Sequence, residues 1–184
     1  MYSYLITDPK LYSQELTTFT DNLRAALLAH QPSFGLYRDK ENSDYEHLAE
    51  RFISLCKENN TKAMLHGAVE LAARLGAYGV HLTSQQFDEI QKAKQLKLFT
   101  VISCHSEEEV LKAEKLGVDA VTYSPIFSTP NKGEPKGLAE LQRMVDKISL
   151  PIIALGGITT EREVKEVEST GCYGFASIRY FVEI

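Results

Sequence analysis

One loop near the middle of the chain carries side chains suited to binding an anion. The stretch Val121–Gly137, VTYSPIFSTPNKGEPKG, begins as an apolar, β-prone strand, and its prolines and glycines then exclude regular structure. Hydroxyl, amide and ammonium groups follow on Thr129, Asn131, Lys132 and Lys136. These groups favour a phosphate or pyrophosphate ligand, although an ordinary polar loop is the alternative interpretation.

A glycine pair after a later apolar segment predicts a phosphate cradle. Gly156 and Gly157 follow the segment PIIAL, and Thr159 or Thr160 then caps a predicted helix. Glycines let backbone N–H groups approach an oxyanion closely, and the N-terminus of a helix adds positive potential. The alternative is that the glycines only fit a tight turn.

Two histidines that end predicted strands, His66 and His105, are candidates for catalysis. His105 suits a general acid or base because the free imidazole pKa lies near neutrality, and its alternative role is to hold the entry of the next helix. His81 lies in the middle of a strand and is interpreted as a hydrogen-bonded core residue. Cys104 precedes His105, but neighbours on a strand point to opposite faces, which argues against a Cys–His pair.

These residues lie at the ends of short apolar strands that alternate with helices. The patterns predict strands over Tyr2–Asp8, Phe34–Arg38, Lys62–His66, Gly79–Thr83, Phe99–Ser103, Ala120–Phe127, Pro151–Leu155 and Gly174–Ile178. They predict helices over Gln14–His30, Tyr45–Glu58, Ala68–Leu75, Gln85–Gln95, Glu107–Leu116, Leu138–Ile148 and Glu161–Ser169. Strict alternation requires parallel strands with crossover helices, and the number of strands favours an α/β fold, a closed (β/α)8 TIM barrel. An open doubly wound sheet is the alternative.

The predicted barrel is compact and lacks one crossover. No helix is predicted after the last strand, so the final helix is short or missing, and an apolar stripe between the first and last predicted helices stays uncovered. We therefore expect either a homodimer contact at this flank or an open flank. Residues 1–184 are expected to form a single domain of this kind.

Barrels of this type bind ligands at the C-terminal ends of their strands. Basic side chains concentrate there, at Arg38, Lys40, Lys132 and Arg179. The strand end at Ser177 and Ile178 would complete the phosphate seat that begins at the glycine pair. A basic rim on a protein whose net charge is −5 implies an anionic small molecule as the ligand.

Composition excludes several other classes of function. The net charge of −5 argues against a general nucleic-acid surface, which needs a basic stripe. No apolar run approaches the roughly 18 residues of a membrane span, and the N-terminal segment lacks the features of a signal peptide. The three cysteines are far apart and form no CxxC pattern, so we expect reduced thiols in the cytoplasm and no zinc site.

Several motifs together resemble one family. They are YLITD at the start, Arg38-Asp39-Lys40, GAYGVHL, SCHSEEE, SPIFSTPNK, LGGI and GFASI. In this order they are similar to thiamine phosphate synthases and their sister group, the TenI-like thiazole tautomerases, from Tyr4 to about Ile178. The resemblance implies a (β/α)8 barrel that binds thiazole phosphate. The synthases join this ligand to an aminopyrimidine diphosphate and release pyrophosphate.

The resemblance also implies roles for individual residues. Four positions match the set that handles the diphosphate anion: Arg38, Lys40, Thr129 and Lys132. The positions that match the thiazole-phosphate seat are Gly157, Ser177 and Ile178, with Gly156 beside them. In the synthases, Mg²⁺ assists these groups in stabilising the leaving pyrophosphate.

The chain departs from the synthases at the metal positions. Synthases carry an aspartate after strand three and another after strand four, where this chain has Gly67 and Gln86. Neither supplies the hard anionic oxygen that Mg²⁺ prefers, and Glu70 and Asp88 lie too far along their helices to replace them. We therefore expect no metal-ligating residues, and Mg²⁺ enters only if a synthase holds it through substrate phosphates and water.

The chain also departs from the tautomerases. Their catalytic histidine falls on the strand-six motif, where this chain has the synthase-like Pro125. His105 or His66 is the hypothesised replacement base. The favoured interpretation is a TenI-like tautomerase or accessory binder of thiazole phosphate. A divergent synthase and a non-catalytic phosphate-ligand sensor are the alternatives.

Overall fold

The chain forms a closed barrel of parallel strands, as the sequence predicts. The structure is a computed structural model, and it describes residues 1–182. Eight strands pair in sequence order, and the last pairs with the first. Their bounds are Tyr2–Ile6 (β1), Phe34–Tyr37 (β2), Lys62–His66 (β3), Gly79–Leu82 (β4), Phe99–Cys104 (β5), Ala120–Tyr123 (β6), Ile152–Leu155 (β7) and Gly174–Ser177 (β8).

Helices connect the strands on the outside of the barrel. Their bounds are Pro9–Tyr12 (α1), Leu16–His30 (α2), Tyr45–Glu58 (α3), Val69–Arg74 (α4), Ile90–Gln95 (α5), Glu107–Leu116 (α6), Gly137–Lys147 (α7) and Glu161–Glu168 (α8). Local signals explain several ends. Ser106 caps α6 by accepting from the Glu109 N–H group, and Gly117 ends this helix in the left-handed region.

Three local predictions are wrong in detail. The first strand ends at Ile6 rather than at Asp8, and Pro9 stands in the first turn of the short helix α1, which Asp8 caps and for which no helix was predicted. The predicted helix Gln85–Gln95 divides into a 3₁₀ turn at Phe87–Glu89 and then α5. The sixth strand ends at Tyr123 rather than at Phe127, and the peptide bond from Ser124 to Pro125 is cis.

The core has two layers. Inside the barrel, alternate strand residues form a small apolar cluster that includes Tyr4, Phe34, Met64, Val101 and Ile153, all buried. A larger cluster fills the space between the strands and the helices. The barrel interior is therefore packed with side chains, and a large open cavity lies where the strands end.

The chain after β8 continues as a 3₁₀ turn, Arg179–Phe181, in the position of a last crossover helix. Phe181 is buried and stacks on Phe175 with ring centroids 5.8 Å apart. The predicted gap at this flank is thus partly filled by aromatic side chains. Residues 183–184 lie outside the described part. Among residues 1–182, no helix combines the length and the apolar character needed to cross a membrane.

Candidate active site

A cavity of about 590 Å³ opens at the C-terminal ends of the strands. All the site residues predicted from the sequence line it: Arg38, Lys40, His66, His105, Thr129, Lys132, Gly156, Gly157, Ser177 and Ile178. They come from six different strand ends or following loops, so only the closed barrel brings them together. The cavity is therefore the candidate active site.

One wall of the cavity is basic because Arg38 and Lys40, in the loop after β2, line it. The buried carboxylate between them holds this loop in place. Asp39 is buried, and its oxygens accept hydrogen bonds from Gln14 Nε2 at 2.8 Å and from the Glu41 N–H group at 3.2 Å. The two neighbours of Asp39, Arg38 and Lys40, line the cavity. The acid of this Arg-Asp-Lys sequence thus faces the protein, and the two cations face the ligand space.

Two further cations complete the rim. Lys132 lies in the loop after β6, and its N–H group donates to the Thr129 carbonyl at 3.2 Å. Arg179 begins the turn after β8. Among the described residues, no aspartate or glutamate lines the cavity. The cavity therefore has a strongly positive character within a protein whose net charge is −5.

The glycine pair after β7 is required by a close approach between loops. Gly156 has a φ of +101° and Gly157 a φ of +70°. A Cβ atom on Gly156 would lie 2.8 Å from Pro125 Cα, and one on Gly157 would lie 2.7 Å from Phe127 Cβ. Both glycines therefore fit the tight turn that the alternative interpretation assigned to them.

The same glycine loop also contains backbone N–H groups that are available to a ligand. Within residues 1–182, the N–H groups of Gly157 and Ile158 donate no hydrogen bond, and both residues line the cavity. At the start of α8, in contrast, Glu163 Oε2 accepts from the N–H group of Thr160 at 2.9 Å. Of the open donors in this segment, those of the glycine loop therefore belong to residues that line the cavity.

Ser177, which lines the cavity, makes two hydrogen bonds within the protein. Its hydroxyl donates to the Ile158 carbonyl at 2.6 Å and accepts from the Tyr180 N–H group at 3.2 Å, and the residue is buried. The hydroxyl proton is already used inside the protein. Ser177 therefore joins the end of β8 to the glycine loop and shapes the seat from beneath.

Two histidines of the cavity are kept neutral. His66 is half-buried, and burial, followed by the positive charges of Arg38 and Lys40, lowers its pKa to about 4. His81 is buried, and burial is also the main cause that lowers its pKa, to about 3. Its Nδ1 lies 3.1 Å from the Tyr4 hydroxyl, which agrees with the core role predicted for it.

His105 presents its ring beside the end of β6. Its Nδ1 lies 3.3 Å from the carbonyl oxygen of Ser124 and 3.2 Å from the Ser124 hydroxyl. When Nδ1 donates to this carbonyl oxygen, which only accepts hydrogen bonds, Nε2 keeps its lone pair. Cys104 is buried, and burial raises its pKa to about 12, so the two residues form no nucleophilic pair.

Neutral groups stand at the two positions where the family resemblance leads one to expect aspartates, Gly67 and Gln86. Gln86 Nε2 donates to the Gly67 carbonyl at 3.0 Å, and Gln86 Oε1 accepts from the Thr83 N–H group at 3.0 Å. Glu70 forms an ion pair with Lys92 and does not line the cavity. Within residues 1–182, no cluster of three or more His, Cys, Asp or Glu side chains suits a metal ion.

Sequence reasoning missed the contacts that support the candidate residues. The Tyr4–His81 contact and the anchoring of Asp39 join residues far apart in the chain, and no local pattern marks them. The predicted residues line the cavity because strand ends can be recognised in the sequence. The fold and the site together define a (β/α)8-barrel protein with a cationic cavity at one rim.

Comparison with known proteins identifies the family. Residues 3–181 match the family model described as thiamine monophosphate synthase. A protein of Aquifex aeolicus, provisionally named thiamine-phosphate synthase 2, is 34% identical over 98% of this chain and 97% of its own length. The thiamine-phosphate synthase of Latilactobacillus sakei is 34% identical over 76% of this chain and 63% of its own length.

A solved structure agrees. The thiamine phosphate pyrophosphorylase of Pyrococcus furiosus superposes with a TM-score of 0.82 and 28% sequence identity, covering 96% of this chain and 85% of that chain. The chain belongs to the thiamine monophosphate synthase family, as the sequence motifs indicate. The names of these relatives favour the synthase alternative over the TenI-like interpretation.

Proposed function

We propose that this protein is a thiamine phosphate synthase, which joins an aminopyrimidine diphosphate to thiazole phosphate. The main support is the charge of the cavity, where Arg38, Lys40, Lys132 and Arg179 surround one space of about 590 Å³ without a carboxylate in its described lining. Four cations exceed what a single phosphate group needs. A diphosphate and a monophosphate bound together provide the matching negative charge.

The two anions occupy different walls of the cavity in this proposal. The diphosphate lies against the cations after β2 and β6, at Arg38, Lys40 and Lys132, with Thr129 beside them. The thiazole phosphate takes the open N–H groups of Gly157 and Ile158. The reacting carbon and the thiazole nitrogen then meet between the walls, over the apolar floor of the barrel.

The reaction needs stabilisation of a leaving anion more than it needs a base. The bond from the pyrimidine methylene carbon to the diphosphate oxygen breaks, and its electron pair leaves with pyrophosphate. The thiazole nitrogen then gives its lone pair to the methylene cation and forms the new C–N bond. Cationic side chains that contact the departing oxygens lower the barrier by binding the charge that develops there.

A coupling assay tests this proposal. The protein is mixed with both substrates, and pyrophosphate and thiamine phosphate are measured, with thiazole phosphate omitted as the control. We expect both products only when both substrates are present. Arg38→Gln should reduce the rate at least about tenfold, whereas Arg24→Gln should not, because Arg24 pairs with Asp21 on the outer helix α2. Binding of thiazole phosphate without any product would contradict the proposal and leave a tautomerase or a non-catalytic sensor.

One observation favours thiazole tautomerisation as a second candidate. His105 lines the cavity, and its contact with the Ser124 carbonyl leaves Nε2 able to accept a proton from a ring carbon. Incorporation of solvent deuterium into thiazole phosphate tests this activity. His105→Ala should abolish the exchange if His105 is the base, and His66→Ala tests the other candidate. Undiminished exchange in a variant excludes that residue.

We also propose that the protein acts in the cytoplasm. Its cysteines, Cys56, Cys104 and Cys172, are free and buried, which is typical of a reducing compartment. Its substrates are charged small molecules, and neither nucleic acid nor a membrane is expected as a partner.

A further inference from the structure

The loops after β3 and β4 are joined by a neutral amide. Gln86 binds the Gly67 carbonyl through Nε2 and the Thr83 N–H group through Oε1, each at 3.0 Å. Both polar ends of the side chain therefore hydrogen-bond inside the protein, and neither carries the negative charge that Mg²⁺ prefers in its ligands. These are the positions where the family resemblance leads one to expect acidic metal ligands.

The local backbone leaves little room for an acid at position 67. Gly67 has a φ of +69°, and a Cβ atom there would lie 3.1 Å from Gln86 Oε1. A side chain at this position would require a strained left-handed backbone and a shift of a few tenths of an ångström in the amide that joins the two loops. The residues present therefore do not fit a Mg²⁺ ion, which requires anionic oxygen ligands in octahedral geometry.

The electrostatic environment is equally unsuited to a dication. His66, which immediately precedes Gly67, lines the same cavity as Arg38 and Lys40. The two positive charges therefore repel other cations at this wall. A Mg²⁺ ion bound to the protein here would meet the same repulsion, whereas a diphosphate would be attracted.

We propose that this protein binds the diphosphate group through its own cations, Arg38, Lys40 and Lys132, and that its side chains coordinate no Mg²⁺. This inference rests on the proposed function for the presence of a diphosphate, and it adds how the charge is balanced. During the reaction, the electron pair of the breaking C–O bond moves onto the pyrophosphate oxygen. The guanidinium and ammonium groups stabilise that oxygen.

Calorimetric titration with inorganic pyrophosphate tests the inference. The titration is carried out in EDTA and then in MgCl₂. We expect binding in EDTA, and equal or weaker binding in MgCl₂, because Mg²⁺ complexes pyrophosphate in solution and reduces its charge. Binding that appears only with Mg²⁺, or becomes about tenfold tighter with it, would overturn the inference. So would the absence of binding under both conditions.

Variants and a second metal provide controls. Arg38→Gln should weaken the binding of pyrophosphate in EDTA about tenfold or more, and Arg24→Gln on the outer surface should leave it unchanged. Mn²⁺ can be followed by its electron paramagnetic resonance signal. The protein with pyrophosphate should reduce this signal no more than pyrophosphate alone does, and a larger reduction would overturn the inference.

The pyrophosphate titration and the coupling assay can give different answers, so the failure of this inference is distinguishable from the failure of the proposed function. Pyrophosphate that binds in EDTA to a protein without coupling activity would contradict the proposed function and support this inference. Coupling activity in a protein that binds pyrophosphate only with Mg²⁺ would support the proposed function and overturn this inference.

Discussion

His81 illustrates how a buried polar residue links the site to the stability of the barrel. Its side chain is 2% exposed, and its ring nitrogens lie 3.1 Å from the Tyr4 hydroxyl and 3.0 Å from the Ser103 hydroxyl. Burial above all, and then the neighbouring His66 and Arg38, lower its pKa to about 3. The folded protein therefore holds this imidazole in the neutral form.

The free energy of unfolding should consequently fall in mild acid. In the unfolded chain the imidazole takes up a proton near its ordinary pKa of ~6.5, whereas the folded protein excludes that proton until about pH 3. The unfolded state binds more protons in this window, so stability decreases as the pH falls through it. His81→Gln should show a smaller decrease between pH ~6.5 and ~4.5, by about 2 kcal/mol.

Urea unfolding of both proteins at several pH values measures this difference. Equal slopes of stability against pH in the two proteins would contradict the assignment. His66 shares the direction of the shift, but because it is only half-buried its contribution is smaller.

At the scale of elements, the contact between the β6 and β7 loops determines the shape of the site. The Phe127 N–H group donates to the Gly156 carbonyl at 3.0 Å. A Cβ atom on Gly157 would come within 2.7 Å of the Ser128 carbonyl oxygen. The loops can approach this closely only because the β7 loop lacks side chains at these two positions.

Gly157→Ala should therefore destabilise the protein more than an alanine at a matched glycine. Gly171 has nearly the same φ, +71° against +70°, but a Cβ atom there meets nothing within 4 Å. Gly171→Ala should cost about 1 kcal/mol for the left-handed backbone alone. Gly157→Ala should cost roughly 2–4 kcal/mol, because overlap with the β6 loop adds to the backbone cost.

Denaturant unfolding compares the two variants, and titration with phosphate reports on the seat. We expect Gly171→Ala to keep the affinity of the parent protein and Gly157→Ala to lose it. Similar costs in both variants would mean that the loops separate easily.

The elements show what local sequence can and cannot predict. Periodic apolar residues and caps such as Ser106 correctly predicted the barrel order and most helices. The short helix α1 was not predicted, because its four residues are too few to show a helical period, although Pro9 is typical of a first helical turn. The two hydrogen bonds of Gln86 depend on loops brought together by strand pairing, so no local pattern contains them. The sequence predicted residues that line the cavity, and it could not predict the contacts that hold them.

At the scale of the whole molecule, the flank beside the last turn retains a small cavity. A cavity of about 200 Å³ there is lined by Leu11, Tyr12, Asn22, Ala25, Ala26, Phe181 and Val182. Leu11 remains 38% exposed beside it. The homodimer contact expected from the sequence stays a prediction, and this flank is its candidate surface.

Light scattering at micromolar concentration tests the contact. We expect a dimer for the parent protein and a monomer for Leu11→Glu, because a charge at the flank opposes apolar association. Leu96→Glu is the control, since Leu96 is also exposed but follows α5 on another part of the surface. A monomeric parent protein would show that the aromatic turn covers the flank sufficiently.

The contrast between the net charge of −5 and the cationic cavity makes a prediction about salt. Lys40 and Lys132 are exposed, so salt screens their attraction for a diphosphate. Raising NaCl from ~0.01 M to ~0.15 M shortens the screening length from roughly 30 to 8 Å. The affinity for pyrophosphate in EDTA should then fall by about tenfold. Removal of one cation by Lys132→Gln should reduce this salt dependence. An affinity that does not change with salt would mean that hydrogen bonds from the backbone, rather than the rim cations, hold the anion.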